Sequence, residues 1–254
     1  QELERKVIQI QEDQMFPTPK FYSSSKGNCI VRSYGHHKTK GFCEIQRPKD
    51  EHIHDFIFHA LFWRLGVDWY KNESQKPLEQ QHIILRWAQA RNDFFEKTKE
   101  LGLKTKDLIV PPGEVRELLS LASDLHYLHL SDSLPKDIIK RLKNQEGFQG
   151  VRYEIAVATS LIRGGFTIKW TNSHNTNKKI HEFDAFQSYT NETIAIEAKS
   201  KRRTGTLHYG GNLPDFNEIK KLDIFPLLND AKKQNPNNKP FGIFIDINLP
   251  RPAS

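Results

Sequence analysis

Near Gly147 the chain changes character, from a run of helical apolar spacing to one helix followed by segments of strand spacing, and this change constrains the fold more than any other feature. Before it, large apolar side chains recur three and four apart. Ile53, Phe56, Ile57, Ala60 and Leu61 predict a helix over 50–65, and Ile83, Ile84, Trp87, Ala90 and Phe94 predict one over 78–101. A third helix opens after Pro111-Pro112-Gly113 and carries Leu118, Ala122, Leu125 and Leu128; a short fourth begins at Pro135, a favoured first-turn residue. After the switch, 151–163 reads as a helix stopped by Gly164-Gly165, and strand-like runs follow at 166–170, 182–189 and 193–200. A helical stretch interrupted by Pro226 reaches Gln234, and 241–249 (FGIFIDINL) is apolar enough for a buried strand. The C-terminal order is therefore α-β-β-β-α-β, an α/β core of helices around a central mixed sheet.

Ahead of these elements, residues 1–25 are polar and open as a helix that Pro17 and Pro19 interrupt, while 28–34 and 42–46 read as the strands of a hairpin. The expected division is a mainly helical N-terminal domain over 1–146, for recognition or partner binding, and a second domain over 147–254. Phe56, Phe58, Phe62, Trp63, Trp69 and Trp87 are expected to form a core belonging to the first domain; a base-stacking platform is the alternative.

The segment TIAIEAKS (193–200) carries the chemistry. Strand side chains alternate, so Ile194, Ile196 and Ala198 share one face and Ala195, Glu197 and Lys199 the other. An acid and a base then lie two apart on a strand that reads as central, where buried charge is costly unless paired or bound to a metal. In the preceding strand Asp184 repeats the conflict between Phe183 and Ala185. A two-residue turn at Thr190-Asn191 sets Asp184 opposite Glu197, and one at Asn191-Glu192 sets it opposite Lys199; both bring it to the Glu197 face. A three-residue loop would turn it away. Two converging carboxylates make a hard oxygen site for Mg²⁺ or Mn²⁺, which the backbone carbonyl of Ala198 and waters would complete. Glu154, on the apolar stripe of Val151, Ala158 and Leu161, should face the sheet as a fourth member.

The pattern Glu154, Asp184 and Glu197-Ala198-Lys199 resembles the PD-(D/E)XK nuclease superfamily, which includes many restriction and repair nucleases. The resemblance covers residues 147–249, and Phe183 stands where the family name has proline. It implies a restriction-endonuclease-like αβββαβ core and metal-dependent phosphodiester hydrolysis. Asp184 and Glu197 would be ligands, Lys199 the base or stabiliser, and DNA rather than RNA the substrate, in restriction, anti-phage defence or repair. A catalytically inactive nuclease-fold module that binds nucleic acid or a protein is the alternative.

The remaining features bear on partners. The net charge of +7 suits a polyanion surface, and Lys201, Arg202 and Arg203, directly after the motif, are the candidate phosphate contacts. Lys232 and Lys233 complement a helix C-terminus without any ligand. Cys29, His36, His37 and Cys43 could bind zinc chemically, but their spacing fits no common zinc pattern, and reduced cysteines with loop histidines are expected instead. Two cysteines in all, no signal peptide in the charged opening residues and no apolar run of membrane-spanning length point to a cytoplasmic protein. The chain opens on Gln1 with its single methionine at Met15, so further residues are expected upstream. Double-strand cutting would favour a homodimer, or a partner subunit held through the helical N-terminal domain.

Overall fold

The structure, a computed structural model, describes residues 51–102, 109–171, 180–208, 215 and 224–248, and the backbone of three earlier strands at 20–26, 29–35 and 43–48. Those strands, β1 (Lys20–Lys26), β2 (Cys29–Gly35) and β3 (Cys43–Pro48), form an antiparallel meander. The hairpin read from the sequence thus gains a third strand in the segment that reads as polar and helical, because Lys20–Lys26 finds a full antiparallel partner in β2. Cys29 pairs with Pro48 and Cys43 with Tyr34, which sets the two cysteines at opposite ends of the β2–β3 ladder, too far apart to share one zinc ion. His36 and His37 lie outside the described residues.

The helices follow: α1 (Ile53–Leu65), α2 (Val67–Ser74), α3 (Ile83–Glu100), α4 (Gly113–Leu130), α5 (Lys136–Leu142) and α6 (Phe148–Arg163). Gly66, at φ 90°, lets the chain turn between α1 and α2. His82 caps α3 by accepting the Ile84 N–H at 3.3 Å, a role that needs a neutral ring, and burial lowers its pKa to about 4. Strands β4 (Phe166–Trp170), β5 (Phe183–Gln187) and β6 (Glu192–Ser200), helix α7 (Phe225–Lys232) and strand β7 (Phe241–Asp246) complete the described chain. Pro226 sits in the first turn of α7, so it starts that helix rather than breaking it.

The second sheet has the order β4-β5-β6-β7, with β4–β5 and β5–β6 antiparallel and β6–β7 parallel. The chain is therefore of mixed α/β class with a four-stranded mixed sheet, and from α6 onward the described elements run α-β-β-β-α-β. One sheet face, with Ile168, Phe183, Ala185, Ile196 and Ala198, packs into the same hydrophobic cluster as α6. That cluster continues without a break through Phe148 and Trp87 to Leu118, Leu125 and Leu61, across the boundary expected at 146/147. Phe56 and Trp87 are buried, and Phe58, Phe62 and Trp69 pack partly buried against the cluster; Trp63 alone of those six aromatics is largely exposed, at 67%. No helix among the described residues is long and apolar enough to cross a membrane.

Candidate active site

Helix α6 is pinned before it presents anything. Arg152 reaches Asp124 of α4 through Nη1 at 2.8 Å and donates to Ser120 Oγ through Nη2 at 2.8 Å, while Arg163 holds the other Asp124 oxygen at 3.1 Å. Burial raises the Asp124 carboxyl and Arg152 works against it. At the other end of α6, Gln149 Nε2 donates to Lys201 O at 2.8 Å and to Ser200 Oγ at 3.2 Å, which ties the helix to the end of β6. Between these anchors Glu154 points inward and is only 5% exposed, as its place on the apolar stripe predicts.

Across the sheet, the β5–β6 ladder pairs Asp184 with Ala195. Alternation then puts Asp184 on the face of Ala195, Glu197 and Lys199, so the expected parity holds. The expected partner does not. Four residues, 188–191, separate the last ladder pair, Gln187 and Glu192, in place of the two-residue turn, and Asp184 stands two pairs short of Glu197. Its Oδ1 is held by Lys239 Nζ at 2.6 Å and by His181 Nε2 at 2.7 Å.

Glu197 is wholly buried, with no accessible surface. Lys199 Nζ lies 2.6 Å from its Oε1 as an ion pair. Burial raises the Glu197 carboxyl and the Lys199 ammonium opposes the rise. For Lys199, burial pulls the pKa down but the Glu197 carboxylate outweighs it, so the lysine stays charged. Asp230 of α7 adds a second, looser contact to Lys199 at 3.8 Å.

The acid that does join Glu197 is Glu182. Its N–H donates to the Ile196 carbonyl at 3.0 Å, while the ladder pairs Ile196 with Phe183. Two residues thus address one, an offset of the kind a β-bulge makes, and bulges re-aim side chains beside functional sites. Glu182 is buried and its carboxyl is pushed up to about 8, by burial first and then by the charges of Glu154 and Glu197, with Arg141 and Lys199 opposing. Arg141 of α5 also pairs with Glu154 Oε1 at 2.6 Å, leaving Glu154 Oε2 buried without a partner. Glu182 and Arg141 escaped the sequence reading. Strict alternation assigns Glu182 only the parity of Asp184, and nothing local signals an arginine arriving from α5.

The three basic residues after the motif divide. Arg202 is exposed and Lys201 half-buried, but Arg203 is only 7% exposed and donates through Nε to Ile247 O at 3.0 Å. Arg203 therefore ties the chain after β6 to the chain after β7, and the expectation that it holds a phosphate at the surface is corrected. Lys233 is an exposed helix-end residue that pairs loosely with Asp230 at 3.9 Å.

Glu154, Glu182 and Glu197 form a buried acidic group bordered by Arg141 and Lys199, with Asp184 farther along the sheet on Lys239. Among the described residues no three His, Cys, Asp or Glu side chains close around one point as a ready-formed metal cage does. The donor chemistry nonetheless fits a hard divalent cation: all donors are carboxylate oxygens, and Glu154 Oε2 is buried without a hydrogen-bond partner among the described residues. Comparison with protein-family models, with curated proteins and with solved structures brings no match for this chain.

Proposed function

We propose that this protein is a Mg²⁺- or Mn²⁺-dependent nuclease that hydrolyses phosphodiester bonds of DNA, with a restriction-endonuclease-like core, serving restriction, anti-phage defence or repair. One observation carries the reading: the wholly buried Glu197, with Lys199 on Oε1 at 2.6 Å, has two further buried carboxyls, Glu154 and Glu182, as neighbours. Three buried carboxyls stand against two cations, Lys199 and Arg141, both of them partly exposed, and the remaining negative charge is costly to bury. A site for a cation accounts for it.

Glu197, Glu154 and the Ala198 carbonyl would hold the ion, with Glu182 joining them and Asp184 following on release from Lys239. A divalent ion there would polarise a phosphodiester oxygen and lower the pKa of a bound water. Lys199, held charged by Glu197, is suited to orient the attacking water or to offset the negative charge that develops on the phosphorus oxygens. Arg202 and Lys201, at the end of the same strand, are suited to backbone phosphates. Incubating plasmid DNA with the protein and Mg²⁺ should give cleavage that EDTA and Glu197→Ala each abolish; DNA left intact across a range of Mg²⁺ and Mn²⁺ concentrations overturns the proposal.

A second reading has its own support. The ammonium groups of Lys199 and Lys239 already sit on Glu197 and Asp184, at 2.6 Å each, and supply positive charge where a metal would. A nuclease-fold module without turnover, binding nucleic acid or a protein, would be stable in this form. DNA binding without cleavage in the same assay favours it.

A further inference from the structure

Beyond the carboxyl ends of the parallel pair β6 and β7 lies a cleft of about 740 Å³, within the range of small-molecule sites. One wall is the chain that continues from these strands, at Gly205–His208 and Asn248; the other is built by α3 and the first turn of α4. Ligands of open α/β sheets characteristically bind outside the carboxyl ends of the strands. The acidic group of Glu154, Glu182 and Glu197 does not line this cleft.

Its chemistry is two-sided. Arg86 of α3 and Arg116 of α4 both line it and are both exposed, and no ion pair or hydrogen bond engages either guanidinium among the described residues. Leu78, Ile83 and Leu207 supply apolar lining. Of the acids in the cleft, Glu117 is taken by His208 at 3.2 Å and Arg152 at 3.6 Å, and Asp93 accepts from Gln89 at 2.7 Å. Glu114 completes the acceptors. A bare polyanion would meet carboxylates here. A ligand with an anionic end, a flat apolar body and hydrogen-bond donors at the far end would not.

We propose that this cleft binds a nucleotide, its phosphate taken by Arg86 and Arg116, its base lying against Ile83 and Leu207, and its amino groups read by Glu114 and the Asp93–Gln89 pair. Guanidinium groups suit phosphate because they present several donors in one plane. The nucleotide is either free or one unit of a DNA strand; the strand form rests on the nuclease reading, and the free form does not.

The experiment uses the full chain in EDTA, with fluorescently labelled adenosine monophosphate and a short labelled DNA single strand, followed by fluorescence anisotropy. Wild type should bind at least one probe, and Arg86→Gln/Arg116→Gln should bind it at least about tenfold more weakly, as the loss of charge-assisted hydrogen bonds requires. Binding of the mononucleotide identifies a free ligand; binding of the strand alone identifies a substrate subsite. Failure of wild type to bind either probe, or equal binding by the double variant, overturns the proposal. Both arginines are exposed, so the variant should keep the wild-type melt. Glu197→Ala, assayed for binding in EDTA and for cleavage in Mg²⁺, separates the two readings: lost cleavage with retained binding bears on catalysis, and lost binding in the arginine variant bears on the cleft.

Discussion

Lys199 Nζ stands 2.6 Å from Oε1 of Glu197, two residues away on the same strand, and the acid has no accessible surface while the lysine keeps some. On the proposed nuclease reading, Lys199 is the member of this pair that can reach a water or a phosphate. Lys199→Ala should lower turnover by orders of magnitude, whereas DNA affinity measured in Ca²⁺ should change far less. Near-normal cleavage by this variant at saturating DNA would remove its catalytic role.

Metal binding can be read without turnover. Mg²⁺ should raise the melting temperature of wild type, because the ion binds only the folded site. Glu197→Gln, Glu182→Gln and Asp184→Ala should each reduce that rise and abolish Mg²⁺-dependent cleavage. Asp184→Ala removes the partner of Lys239, which is partly exposed, and of the buried His181, so the melt of the variant without Mg²⁺ is its reference. Equal stabilisation of wild type and all three variants would place the ion elsewhere.

The raised Glu182 carboxyl sets a pH dependence. In the unfolded chain this acid gives up its proton near 4.5, whereas in the fold it keeps the proton up to about 8. The folded form binds more protons across that window, so this group's contribution to stability falls as pH rises from about 4.5 to about 8. Urea melts should show Glu182→Gln gaining on wild type as pH increases through the window. Since the cation competes with that proton, Mg²⁺ affinity should rise with pH up to about 8 and level off above it. A stability difference independent of pH would contradict both.

Arg141 and Glu154 form an ion pair at 2.6 Å with the acid end buried. Arg141→Met strands Glu154 and should cost roughly 3 kcal/mol, the low end for breaking a buried pair, because the arginine is partly exposed. Adding Glu154→Gln should recover most of that stability, because no buried charge is then left alone. Denaturant titrations of the two single variants and the double variant check this; additive losses would mean that the pair is not coupled.

How far the sequence reached can be traced through single residues. The 3.6-residue spacing around Leu118, Leu125, Val151 and Ala158 named helices whose apolar stripes are indeed buried, and Phe166–Trp170 is the strand its alternation predicts. Helical and strand periods are local properties of the chain, so one sequence suffices to read them. The inward turn of Glu154 and the shared face of Asp184, Glu197 and Lys199 were legible for the same reason.

What alternation cannot supply is where two strands stop sliding past each other. The four residues between Gln187 and Glu192 put Asp184 against Ala195, and the same register carried one pair beyond Phe183 and Ile196 brings Glu182 to Glu197 instead. A shift of two residues preserves every face and moves every partner, so parity is fixed by the side chains while register is settled by turn length and packing. Arg141 on Glu154, Lys239 on Asp184 and the inward turn of Arg203 came from elements distant in sequence. The sequence by itself determined the elements, their order and the side of the sheet that bears the charges. Only the tertiary structure decided which charges meet, because the pairing of charged groups depends on separations of a few ångströms that assembly alone establishes.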